Sequence, residues 1–218
     1  GANPTMDVRF GYNLADEARR KLLGFWNTYT FFNTYASIDN PDIANYKLNT
    51  DNLTKADKWL IESVNKFIAD SDKNYSEYKS YLVVKDFETL VDDISNFYIR
   101  GNRKRFWKSE NADDQMTAYW CLYNAIKNIC IVMAPITPFM TEHIWQNMVR
   151  EIESDASESI MLSSFPTYML DVKFDNVIAD TDNAREVIAI AQRLRNENQI
   201  KIKQPLKTMF LNVNDESV

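Results

Sequence analysis

Between Asp16 and Met148 apolar side chains return every three or four residues in one run after another, a rhythm that restricts the chain to packed helices. Only 4 Gly and 6 Pro occur in 218 residues, too few for a turn-rich all-strand domain. The first run, Asp16 to Ile38, carries Leu22, Phe25, Trp26, Tyr29, Phe32 and Ala36, and Asp39-Asn40-Pro41 ends it. A loop through Thr50 leads to a second helix with Leu60, Val64, Phe67 and Ile68 as its buried stripe, and polar Asp70 to Asn74 reads as a turn. The third and longest spans Ser76 to Trp107, with Phe87, Leu90, Val91, Ile94, Phe97 and Tyr98 on one side. Asn111 to Asp114 marks a break and a new start, after which Met116, Tyr119, Trp120, Tyr123, Ile126, Cys130 and Met133 keep the helical period. Pro135 closes that helix, and Thr137-Pro138 is an N-cap and first-turn pair for the next, with Phe139, Met140, Ile144, Trp145 and Met148.

Residues 151–176 lose the period and read as a long connection. A sixth helix, Thr181 to Asn196, is expected to bury Val187, Ile188, Ala191 and Leu194. Met209, Leu211 and Val213 then alternate as a strand with one buried face would. A lone strand needs neighbours, so the chain is expected to stop just inside a further structural unit. The expected fold class is all-α, an antiparallel helical bundle with a short C-terminal strand belonging to the following unit. A helical solenoid is the alternative, but no segment of about 30–45 residues repeats.

Composition narrows function by exclusion. Cys121 and Cys130 with a single His143 cannot make a zinc cluster or a disulfide framework, and both thiols are expected to be buried in a reducing compartment. No apolar stretch reaches the roughly 18 residues of a membrane span, and no signal peptide opens the chain, so a cytoplasmic location is expected. Paired carboxylates, a nucleophile with a base, and a phosphate loop are all missing at usable spacing, so no catalytic residue is assigned. His143, beside Ile144 and Trp145, reads as packing or surface.

A net charge of −6 argues against a nucleic-acid partner until the charges are located. Ile94 to Ser109 holds Arg100, Arg103, Lys104, Arg105 and Lys108 with no acidic residue between them. A regular helix places Phe87, Val91, Ile94, Tyr98 and Gly101 on one face, where Gly101 would let a neighbouring helix approach, and Asn96, Arg100, Arg103 and Trp107 nearly opposite. Guanidinium groups, an amide and an indole together neutralise phosphates, read base edges and stack on unpaired bases, as a single-stranded RNA loop requires. Three readings stay open on residues alone: RNA binding, a face of internal salt bridges, and contact with another protein domain. A second basic run, Arg193, Arg195, Lys201, Lys203 and Lys207, flanks the same ligand or holds a junction by charge.

The run Val91-Asp92-Asp93-Ile94-Ser95-Asn96-Phe97-Tyr98-Ile99-Arg100, continued by Asn102-Arg103-Lys104-Arg105-Phe106-Trp107, resembles the isoleucyl-tRNA synthetases after their catalytic domain. Phe25-Trp26-Asn27-Thr28-Tyr29-Thr30-Phe31-Phe32 and Met133-Ala134-Pro135-Ile136-Thr137-Pro138-Phe139 are similar to the same family in the same order. So are Arg195-Asn196-Glu197-Asn198 and Ile202-Lys203-Gln204-Pro205-Leu206. Gly101 stands where the family frequently has arginine, and His143 where it frequently has glutamate.

The resemblance implies residues 1–15 as a lead-in from a catalytic core, 16–196 as a helical anticodon-binding domain, and 197–218 as the start of a C-terminal junction region. It implies, as partners, the anticodon stem-loop of tRNA(Ile) and the chain's own catalytic core in cis, with no DNA, no membrane and a monomeric state. Catalysis, the joining of isoleucine to its tRNA, would lie in the full-length enzyme, together with ATP, Mg and, in many members, zinc. The His-Ile-Gly-His and Lys-Met-Ser-Lys-Ser type signatures do not occur here. Candidate RNA-binding residues are Asn27, Asn96, Arg100, Arg103, Lys104, Arg105, Trp107, Lys201 and Lys203. The competing function is a structural module that braces the synthetase core while a C-terminal domain supplies most RNA contacts.

Overall fold

The computed structural model describes residues 11–109 and 111–211. Two compact units emerge, Gly1–Val172 and Lys173–Val218, divided inside the stretch that the sequence reads as a connection. Helices α1 (Tyr12–Asp39), α2 (Lys55–Ser76), α3 (Ser80–Asp93), α4 (Arg100–Trp107), α5 (Ala112–Met133), α6 (Pro138–Ile144) and α7 (Arg150–Ile152) belong to the first unit. π-helical segments Ile94–Ile99 and Trp145–Val149 join α3 to α4 and α6 to α7. The second unit holds α8, Val177–Glu197.

The first unit is a bundle built around α5, which packs against α1, α2, α4 and α6. Tyr119, Cys121, Leu122, Tyr123, Ile126, Ile129 and Cys130 are all buried, and a helix apolar around its circumference sits at the centre of a core. Each such large side chain contributes roughly 1.5–3 kcal/mol on burial. Both thiols are free and inside, as expected, and burial pushes each above the ordinary thiol range. Asn111 starts α5 by accepting from the Asp113 and Asp114 amides at 2.9 and 3.3 Å.

Polar Asp70 to Asn74 is not a turn. α2 continues through it to Ser76, because an exposed Lys66–Asp70 ion pair supports the helix and no glycine or proline interrupts it. The reversal instead uses residues 77–79, with Tyr78 at φ 58°, and the next helix starts at Ser80 rather than Ser76. Pro138 occupies the first turn of α6 as read from sequence, but the Thr137 hydroxyl donates back to the Met133 carbonyl at 3.3 Å instead of capping.

Two further expectations fail in the second unit. α8 forms, yet Ile188 and Leu194 are 55% and 50% exposed, and Val187 and Ala191 are half-buried. Among the described residues of this unit no second element covers that face. Met209 and Leu211 are exposed and irregular, and no strand occurs among the described residues; Val213 lies outside them. A strand without a pairing neighbour does not hold.

Candidate nucleic-acid interface

The phase of α4 decides what the basic run can do. In an uninterrupted helix Gly101 would follow Val91, Ile94 and Tyr98 onto the inner face. The π segment takes up one residue more than an α turn, so the inner face passes to Ile99, Asn102, Arg105 and Phe106. Phe106 is fully buried, its ring 5.2 Å from those of Phe31 and Tyr119 in edge contacts. Gly101 turns outward, and a Cβ there would meet nothing within 4 Å, which corrects its assignment to a helix contact.

Arg105 is likewise corrected. Its side chain is only 12% exposed and faces Asp57, which is fully buried on α2. Nη1 donates to Asp57 Oδ1 at 2.8 Å and to Asn102 Oδ1 at 3.2 Å. Nε donates to Asp114 Oδ2 at 3.0 Å, and Nη2 donates to the Asp114 carbonyl at 3.1 Å and pairs with Oδ1 at 2.8 Å. These contacts engage all five N–H groups of the guanidinium within the chain, leaving none for RNA.

Asp57 also accepts from the Tyr98 hydroxyl at 2.7 Å and, through its other oxygen, from the Thr54 hydroxyl at 2.7 Å and the Thr54 amide at 3.0 Å. One carboxylate therefore closes the N-terminus of α2 and fastens both the π segment and α4. Burial, then the adjacent Asp57 charge, holds the Tyr98 phenol well above its ordinary range. Burial opposes the charge on Arg105, but the hydrogen bonds and charges of Asp57, Tyr98 and Asp114 together outweigh it and raise the guanidinium further. Asn102 completes the lock by donating to the Tyr98 carbonyl at 2.8 Å.

With Arg105 inside, Arg100, Arg103, Lys104 and Trp107 share the exposed side of α4, and Lys108 follows at its end. The Trp107 indole is 68% exposed. Among the described residues no carboxylate pairs with any of these four cations. Asn96 is exposed within the π segment one turn earlier. Asn27 is exposed on α1, and no hydrogen bond connects it with α4 among the described residues. Lys201 and Lys203 lie exposed in the second unit, in a turn whose Lys201, Ile202 and Gln204 carbonyls accept from Arg195 Nη1 at 3.1, 3.2 and 2.8 Å.

Sequence reasoning missed Asn52 and Asp113, which join each other beside Lys104 and Lys108. They are separated by 61 positions, and no local spacing signals the pair. His143 is exposed on α6 with its ring 5.2 Å from that of Trp26. Among the described residues no cluster of three or more His, Cys, Asp or Glu is placed to ligate a metal. No helix among them is long and apolar enough to cross a membrane.

Residues 57–210 match the model of a family described as the anticodon-binding domain of tRNA ligase. The isoleucine--tRNA ligase of Clostridium kluyveri is 34% identical over 212 residues, covering 96% of this chain and 20% of that protein. That of Thermus thermophilus is 34% identical over 214 residues, with 96% and 20% covered. The Bacteroides thetaiotaomicron protein is 32% identical over 219 residues, with 99% and 19% covered. The chain thus spans about a fifth of the length of these relatives. An all-α bundle, the basic face on α4 and a family match over most of the sequence lead to one conclusion: this chain belongs to the anticodon-binding domain family of tRNA ligases.

Proposed function

We propose that this chain holds the anticodon stem-loop of tRNA(Ile) for a longer isoleucine--tRNA ligase. The observation that carries the reading is the outer side of α4, where four cations without carboxylate partners among the described residues accompany an exposed tryptophan. Ammonium and guanidinium groups so disposed neutralise consecutive phosphates, and the indole offers a platform for an unstacked base. The relatives named above are isoleucine--tRNA ligases, which supports isoleucine tRNA as the partner. ATP-dependent attachment of isoleucine belongs in this proposal to the rest of the longer protein, as do its ATP and metal sites.

The test is binding of the 218-residue chain and its Trp107→Ala variant to an anticodon stem-loop of isoleucine tRNA across a salt series. Affinity should fall as salt rises, and the variant should lose roughly 1–3 kcal/mol, the size of one stacked base. Absence of binding at low salt would instead favour a bracing module whose RNA contacts lie elsewhere in the longer protein.

A further inference from the structure

A cavity of about 500 Å³ opens between the 3₁₀ turn Thr50–Asn52, the end of α4 and the start of α5. Its volume falls within the roughly 300–1,000 Å³ typical of small-ligand pockets. Lys104 and Lys108 contribute cations to its lining, and Asp113 contributes a carboxylate. Neither lysine pairs with that carboxylate. Asp113 is held instead by neutral donors: the Tyr46 hydroxyl reaches Oδ1 at 3.1 Å, and the Asn52 amide donates to Oδ2. Among the described lining residues the other acid, Asp114, is turned to Arg105. Among the described residues the cavity therefore presents two ammonium groups without an ion-pair partner and a separately anchored acceptor.

A ligand that uses all three must carry an anion at one end and N–H donors at the other. A nucleotide meets that requirement. Its phosphate suits the lysines, and the exocyclic amino group of cytosine, adenine or guanine suits a carboxylate. Uracil presents a carbonyl oxygen where cytosine and adenine carry the amino group and keeps only its ring N–H as a donor, so it meets Asp113 less well. We infer that this cavity takes one unstacked nucleotide of the bound RNA loop, with its phosphate against Lys104 and Lys108 and its amino-bearing base edge against Asp113. The inference rests on the RNA-binding reading and adds to it a base-selective position. Trp107 does not line this cavity, so stacking on the indole and reading at Asp113 concern different nucleotides.

The experiment measures affinity for a set of anticodon stem-loops in which each loop nucleotide in turn is replaced by uridine, using the parent chain, Lys108→Ala and Asp113→Asn. Thermal melts establish that each variant is folded. With the parent, uridine at one position should weaken binding roughly tenfold, and Asp113→Asn should remove that penalty. Lys108→Ala should weaken all loops alike and lower the slope of log affinity against log salt by about 0.7–0.9. If both variants keep the parent's base preference and salt slope while Arg103→Ala loses affinity, the cavity is unused and only the broader reading survives. If the parent binds no loop at low salt, both fail. Free cytidine monophosphate provides the remaining arm, since binding as tight as the stem-loop's and equally sensitive to Asp113→Asn would overturn an RNA ligand in favour of a free nucleotide.

Discussion

Replacing Arg105 by methionine would keep the length of the side chain and remove the only cation that touches Asp57 among the described residues. Asp57 is fully buried, and its remaining donors, Tyr98 and Thr54, are neutral. A carboxylate stranded in this way costs about 3–5 kcal/mol, set against the roughly 5–15 kcal/mol of a typical domain. The exposed Asp16–Arg19 pair gives the comparison: its side chains are 38% and 64% exposed, and Arg19→Ala should leave the urea midpoint almost unchanged. Urea unfolding followed by tryptophan fluorescence measures both variants in one assay. Because a buried pair is poorly screened, the Arg105→Met loss should persist in high salt, where any Arg19 effect fades. RNA binding separates the roles further: Arg105→Met should leave the salt slope unchanged wherever the variant remains folded, because no phosphate is contacted. A cost below about 1 kcal/mol, or a slope lowered by about 0.7–0.9 as for a phosphate contact, would refute the placement of Arg105 as an internal tie.

The side chains of the core make two more predictions about stability. The Ser71 hydroxyl is buried without a hydrogen-bond partner among the described residues, so Ser71→Ala should raise stability by about 1 kcal/mol; a lower urea midpoint would contradict this. Alkaline pH should destabilise the bundle, because Tyr98, Cys121 and Cys130 are all held above their ordinary ranges, chiefly by burial. Groups raised in the folded state bind more protons there than in the unfolded chain. Their contribution is complete below the unfolded thiol and phenol values of about 8.5 and 10, and it is lost as pH rises beyond them. Urea midpoints between pH 7.5 and 10.5 should therefore fall, most steeply above about 8.5, and a flat profile would show that these groups are not protected.

The elements most legible in sequence were those whose signals are local. Helical period, Asn111 before Asp113 and Asp114, and Pro138 at a first turn each depend on residues a few positions apart, and each found its counterpart in the structure. Interactions across the bundle left no such trace. Asp57 lies 48 positions from Arg105 and 41 from Tyr98, and its acidic side chain in the first turn of α2 reads equally well as a helix cap alone. α8 shows the converse, since its apolar period is real but says nothing about whether a partner element is present to bury it.

The π segment has the largest consequence for the candidate site. Extrapolating 3.6 residues per turn through Ile94–Ile99 sends Gly101 inward and places Arg105 on the same face as Phe87 and Ile94. One additional residue in that segment turns Gly101 outward and brings Asn102 and Phe106 in, while Arg105 reaches Asp57. What holds the wider turn is not its own propensity but its side-chain ties, Tyr98 to Asp57 and Asn102 back to the Tyr98 carbonyl. The same shift buries Phe106 between Phe31 and Tyr119. Five cations counted along a sequence thus divide into one that fixes the helix and four that remain available to a ligand, and the dividing agent is a fully buried carboxylate on another helix. Charge density in the chain marks a candidate face for an anionic partner, but which charges stay exposed on that face follows only from the packing that sets the phase of α4.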